Sequence, residues 1–187
     1  MAAEWAGPVK RWLKGSESSD RDKGATLEFR LIYEGALSSG QGKHAGPKEK
    51  HEFRRQLHPQ LRELWRQDRH LKHYGEAHLS GKSGPTYLEH IAKRFSRGGT
   101  GFIPLITEAT GYWCSLNVLF LRRDMPGYVV DNYGDLDNRL KILFDALAVP
   151  TTTDGLPSNA DGDENPIYCL LENDRLITLY LSFRIGC

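Results

Sequence analysis

The sequence predicts a single α+β (α/β) domain in which a mixed β-sheet packs against helices. Stretches in which apolar and polar residues alternate, as in strands, are interleaved with stretches whose apolar residues recur at helical spacing. A chain of 187 residues is long enough to bury a real core, and its hydrophobic fraction of 39% is ordinary for a globular protein. One domain is therefore the simplest expectation.

The first part of the chain is expected to be an extension of this domain. Residues 1–25 contain a short segment with Trp5 and Trp12, followed by a polar, Gly- and Ser-rich linker that is expected to be mobile. Residues 26–34 then alternate, with Leu27 and Phe29 on one face and Glu28 on the other. This alternation predicts a half-buried first strand.

A helical region is predicted next. Residues 48–74 show helical periodicity, with a break predicted at His58-Pro59 because proline favours a helix start. A third helix is predicted over residues 85–97, before a glycine-rich stop. The predicted buried stripe of residues 48–74 is Phe53, Leu57, Leu61, Leu64, Trp65 and Leu71. The arginines between them, including Arg62, Arg66 and Arg69, are compatible with a solvated face or with a surface that contacts phosphates.

Four further strands are predicted around one more helix. They cover residues 102–107, 112–122, 167–171 and 176–185, and Pro104 suggests that the first of them is an edge strand. Residues 151–166 are rich in Asp, Gly, Pro and Asn and predict a solvated acidic loop. The last strand would place Asp174 at its start, a rigid position for a ligand.

The helix predicted over residues 134–147 has a first turn crowded with carboxylates. Asp135 and Asn138 occupy capping positions, and Asp137, Lys141 and Asp145 lie four residues apart on one face. One interpretation is a capped amphipathic helix with exposed ion pairs. The other is a metal site, in which Asp135 and Asp137 hold a hard cation while Lys141 contacts a phosphate.

The run Asp135-Leu136-Asp137-Asn138, with Lys141 and then Asp145-Ala146-Leu147, is followed downstream by Asn173-Asp174. This combination resembles the signature of the RusA-type Holliday junction resolvases, a family of crossover junction endodeoxyribonucleases. The resemblance covers the chain from about Cys114 to its end, together with the first strand near Leu27. It implies a RusA-like nuclease domain over residues 26–187, with an enlarged helical insertion around residues 45–100.

The resemblance also implies an activity. The protein would be a Mg²⁺-dependent endodeoxyribonuclease, with Mn²⁺ as a possible substitute, that resolves four-way DNA junctions in recombination and repair by phosphodiester hydrolysis. Asp135, Asp137 and Asp174 would hold the metal and Lys141 would contact the scissile phosphate. Asn138 and Asp145 would support these residues, with Glu172 as a lesser candidate. The expected DNA contacts are Lys141, Arg122, Arg123, Arg62, Arg66 and Arg69.

One departure from the family pattern concerns DNA preference. The family often has basic residues just before its acidic motif, whereas this chain has Asp131-Asn132-Tyr133-Gly134, with Arg122 and Arg123 close by. Two alternatives stay open: a nuclease of the same fold that cleaves flapped or branched DNA, and a catalytically idle nucleic-acid-binding module.

Partners and compartment follow from symmetry, charge and cysteine content. A four-way junction has near-twofold symmetry, so a homodimer with one site per subunit is expected. The net charge is only +1, but residues 43–97 are rich in Lys and Arg while residues 154–174 are acidic, which fits DNA on one surface and a cation on another. Three widely spaced cysteines favour a reducing, cytoplasmic setting, and no apolar run predicts a membrane span.

Overall fold

A computed structural model of the chain describes residues 27–35, 46–81, 83–121, 133–156, 162–178 and 185–186. The side chains of residues 120–121, 133–137 and 185–186 are outside this description. The chain divides into two compact units, Met1–Ile32 and Tyr33–Cys187. The elements described below belong to the second unit.

The described backbone contains helices, short strands and single turns of 3₁₀ helix. The helices are α1 (Pro47–Gln67), α2 (Arg69–Glu76), α3 (Tyr87–Arg94) and α4 (Tyr133–Leu147). The strands are β1 (Phe102–Ile106), β2 (Phe120–Leu121), β3 (Ile167–Leu171) and β4 (Ile185–Gly186). The 3₁₀ turns are Glu108–Thr110, Gly162–Glu164 and Asp174–Leu176. None of the helices in this part of the chain is both long and apolar enough to cross a bilayer.

The core lies where α1 and α3 cover the strand pair β1–β3. These strands are parallel, with Phe102 opposite Ile167 and Ile106 opposite Leu171. Helix α1 packs on β3 and helix α3 packs on β1. Phe102, Leu61, Ile167 and Leu171 are fully buried there. Strands β2 and β4 form a second parallel pair. The described elements are compatible with the predicted α+β class, but the described strands form two parallel pairs rather than the single mixed sheet that the sequence predicts.

The helical break predicted at His58-Pro59 is wrong in position, because the break lies at Asp68. Helix α1 continues through Pro59 and ends at Gln67, and Leu57, Leu61 and Leu64 are buried on both sides of the proline. A proline inside a helix costs about 3 kcal/mol or more, and this continuous apolar stripe offsets that cost. The chain instead turns at Asp68, whose carboxylate accepts hydrogen bonds from the backbone N–H groups of His70 and Leu71 and caps α2.

Three strand predictions also need correction. Residues 28–34 alternate in exposure as predicted, but Leu27 is exposed and residues 27–34 form no strand. Of residues 112–121, only β2 and a parallel bridge from Cys114 to Ile177 are paired. Asp174 begins a 3₁₀ turn rather than a strand, because the side chain of Asn173 accepts a hydrogen bond from the N–H of Arg175 and bends the chain there.

Candidate functional site

Helix α4 carries most of the predicted site residues. It begins at Tyr133, so Asp135 and Asp137 belong to its N-terminal part and Lys141 follows Asp137 by about one turn. Leu140, Leu143 and Leu147 are buried, whereas Lys141 is exposed. The predicted amphipathic helix is therefore confirmed. The side chains of Asp135 and Asp137 lie outside the described residues.

The turn that carries Asp174 packs against α4. Asp174 and Lys141 are both exposed, and neither side chain makes a hydrogen bond or ion pair within the described part of the chain. No contact with a described residue would therefore have to break before either group met an external partner. The structure brings the two elements of the predicted site into contact, while the distances between the three aspartates are not described.

Contacts to a second turn hold the Asp174 turn in place. The Glu172 carboxylate accepts a hydrogen bond from the N–H of Glu108 at 2.8 Å, and the Asn173 side-chain amide donates to the Glu108 carboxylate at 2.8 Å. Glu172 and Asn173 thus tie the turn to the residues that follow β1. Sequence reasoning missed Glu108, whose only local signal is its place in a short turn far from the motif.

The opposite end of α4 is fixed by α1. Lys50 Nζ lies 2.6 Å from Asp145 Oδ2. Arg54 donates from Nη2 to the carbonyl oxygen of Asp145 at 2.6 Å and from Nε to that of Ala148 at 2.9 Å. The last turn of α4 contains no basic residue, so α1 supplies the positive charge that a helix C-terminus favours. At a rise of about 1.5 Å per residue, Asp145 lies about 12 Å along the helix from Asp137.

The predicted DNA-contacting arginines differ in their surroundings. Arg66 pairs with Glu63 at 2.7 Å, and Arg62 lies 3.8 Å from the Asp163 carboxylate. Arg69 is exposed and makes no ion pair with a described residue. Arg122 and Arg123 lie outside the described residues. Of the predicted DNA-contacting arginines that the structure describes, Arg69 is thus the one without a carboxylate within ion-pairing distance among the described residues.

Metal-binding capacity can be assessed for part of the site. The side chains that the structure describes include no group of three His, Cys, Asp or Glu residues placed to hold a metal ion. The side chains of Asp135 and Asp137 are not among those that the structure describes. The set of Asp135, Asp137 and Asp174 therefore stays a prediction. Its carboxylate oxygens are the ligands that Mg²⁺ prefers, and Asp174 is exposed and makes no side-chain hydrogen bond or ion pair with a described residue.

Comparison of the chain with protein-family models, with curated proteins and with solved structures returned no match. The functional assignment therefore rests on the motif in the sequence and on the packing of the elements that carry it.

Proposed function

We propose that the protein is a Mg²⁺-dependent, structure-specific endodeoxyribonuclease of RusA-like fold that resolves four-way DNA junctions by phosphodiester hydrolysis. The observation that supports this most is the contact between α4 and the turn that begins at Asp174. These two elements carry the two separate pieces of the RusA-like motif. A chance resemblance in sequence gives no reason for these two elements to contact each other.

In this proposal some residues of the motif bind the metal ion and another contacts the phosphate. Asp135, Asp137 and Asp174 would hold Mg²⁺, which when bound neutralises charge on the phosphoryl oxygens and makes water more acidic. Lys141 offers an exposed ammonium one turn beyond Asp137, and it would contact a non-bridging oxygen of the scissile phosphate. Asn138 is exposed beside them and would help to orient this first turn.

The twofold symmetry of a four-way junction favours a homodimer. Resolution of a four-way junction needs two cuts in strands related by an approximate twofold axis. A C2 homodimer would present one such site to each strand, with the same surface of both subunits at the interface.

Cleavage of a synthetic four-way junction tests the proposal. The wild-type protein is expected to cut it in Mg²⁺ or Mn²⁺ and to lose all cutting in EDTA, because the carboxylates alone repel a phosphate. Asp137→Asn is expected to lower the rate by at least about 10²-fold. Asp154→Asn is the matched control, since Asp154 is an exposed aspartate outside the site.

The outcomes separate the possible functions. Equal cleavage by Asp137→Asn and by the wild type would remove Asp137 from the mechanism. Cleavage of flapped DNA but not of junctions would identify a branched-DNA nuclease of another specificity. No cleavage of any substrate, together with no thermal shift at millimolar Mg²⁺, would indicate a binding module without catalytic activity.

A further inference from the structure

Residues 69–97 are one of two positively charged segments in the helical region. This segment contains six Lys and Arg residues and two Glu residues, a net charge of +4, whereas the whole chain carries +1. The cationic residues are Arg69, Lys72, Lys82, Lys93, Arg94 and Arg97. Residues 43–67, with seven Lys and Arg residues and three Glu residues, also carry +4. Net charge alone therefore does not distinguish the two segments for a polyanion, and the ion pairs within each must be compared.

Ion pairing distinguishes α2 from α1. On α1, Arg55 pairs with Glu164 at 2.6 Å and Arg66 pairs with Glu63 at 2.7 Å. On α2, Arg69 and Lys72 make no ion pair with a described residue. Lys72 does not pair even with Glu76, which follows it by four residues. Within the described part of the chain the charges of Arg69 and Lys72 are therefore not engaged, whereas phosphates would have to compete with carboxylates for Arg55 and Arg66 of α1.

The outward face of α2 is well defined. Gly75 is buried and Leu71 is half-buried, so they mark the inner side of the helix. Arg69, Lys72 and His73 are exposed. Lys72 and His73 follow Arg69 by three and four residues, which makes each of them a neighbour of Arg69 on the helix surface. The three side chains thus form one basic strip.

The helix that carries this strip is held at both ends. Asp68 caps its first turn, with its carboxylate 2.9 Å from the N–H of His70. Near its end, the ring centroid of Tyr74 lies 4.2 Å from that of Tyr87 on α3. A fixed helix loses little backbone entropy when its charged side chains meet a ligand.

We propose that the strip formed by Arg69, Lys72 and His73 binds the phosphate backbone of a DNA arm outside the cleavage site. The choice of DNA as the polyanion rests on the proposed function. Lys and Arg contacts to phosphate oxygens fix position without reading sequence, and each contact releases condensed counterions. The strip therefore contributes affinity and orientation, and it takes no part in hydrolysis.

Equilibrium binding tests this surface independently of catalysis. Binding of the full-length protein to a labelled four-way junction is measured by fluorescence anisotropy in EDTA over a series of salt concentrations. The Arg69→Ala/Lys72→Ala variant is expected to bind about tenfold more weakly, and its slope of log K against log salt should fall by about 1.8, or about 0.9 for each lost phosphate contact. Arg30→Ala is the control, because it removes an exposed arginine that lies outside residues 69–97 and outside the predicted DNA contacts. Its slope should be unchanged.

The outcomes keep the two proposals apart. An unchanged slope and affinity in the double variant, with wild-type cleavage intact, would overturn the binding strip and leave the nuclease assignment standing. A weakened double variant in a protein that cleaves nothing would support the strip and refute the nuclease. Absence of any DNA binding by the wild-type protein would overturn the strip. Circular dichroism is expected to show equal folding of all variants, since the substituted side chains are exposed.

Discussion

Arg54 donates a hydrogen bond from Nε to the carbonyl oxygen of Ala148 at 2.9 Å, joining α1 to the end of α4. Its Nη2 donates to the carbonyl oxygen of Asp145 at 2.6 Å. The last carbonyls of a helix have no partner within the helix, so this single side chain, which is only 5% exposed, satisfies two of them. Burial lowers the pKa of Arg54, and Asp145 opposes this effect.

Arg54→Met is therefore expected to destabilise the protein. It leaves both carbonyl oxygens buried without a donor, and the expected loss in the free energy of unfolding is about 2–4 kcal/mol. Urea denaturation measures this loss. Arg66→Met, at a far more exposed position, should cost less than about 0.5 kcal/mol. Equal losses for the two variants would show that the contacts of Arg54 add nothing to stability.

His58 is expected to make stability depend on pH. Its Nδ1 accepts a hydrogen bond from the N–H of Tyr168 at 3.0 Å, so its Nε2 carries the proton and donates to the carbonyl oxygen of Asp163 at 3.0 Å. Burial, reinforced by Arg62, lowers the pKa of His58 below its ordinary value of 6.5. Burial and the Arg54 charge lower the pKa of His51 in the same direction.

The unfolded chain then binds more protons than the folded one between these lowered pKa values and 6.5. The free energy of unfolding should thus be constant above about pH 6.5 and fall as the pH decreases through the folded pKa values. Urea denaturation between pH 7.5 and pH 5 measures this decrease. His58→Asn should flatten the curve. A His58→Asn curve parallel to that of the wild type would exclude His58 as a source of the pH dependence.

Gly155 is expected to tolerate no side chain. Its φ is +75°, and a Cβ there would clash with the backbone of Pro47 and Lys48 at the start of α1. Gly111 has a similar φ of +66° with no atom within 4 Å of a Cβ. Gly111→Ala should therefore cost only the conformational strain of about 1–2 kcal/mol, and Gly155→Ala should cost clearly more. Thermal denaturation of both variants measures the difference, and equal shifts in Tm would mean that the chain around Pro47 yields to the new methyl group.

Lys141→Ala is expected to reduce cleavage without reducing stability. The ammonium group is exposed and makes no ion pair with a described residue, so its loss should leave Tm within about 1 °C of the wild type. The single-turnover rate on a four-way junction should fall by about 10²–10³-fold. Lys141→Arg should retain part of the rate because it keeps the charge. A Lys141→Ala variant that cleaves at the wild-type rate would show that Lys141 has no role in cleavage.

The sequence predicted those features that local periodicity controls. The stripe from Phe53 to Trp65 and the helix that bears Lys141 follow directly from the spacing of their apolar residues, and both are confirmed. The continuation of α1 through Pro59 was not predictable, because the packing that offsets the proline comes from β3, far away in sequence. The same holds for the pairing of Arg54 with the end of α4. No local pattern in α1 indicates which helix its buried arginine will meet.

The parallel register of β1 and β3 has a consequence for synthesis of the chain. Strand β1 leaves the ribosome early, but the strand it pairs with follows the whole of α4. Until Leu171 has emerged, Phe102 and the inner face of α1 lack the surface that buries them. A nascent chain stalled before that point would present these apolar side chains to chaperones and proteases.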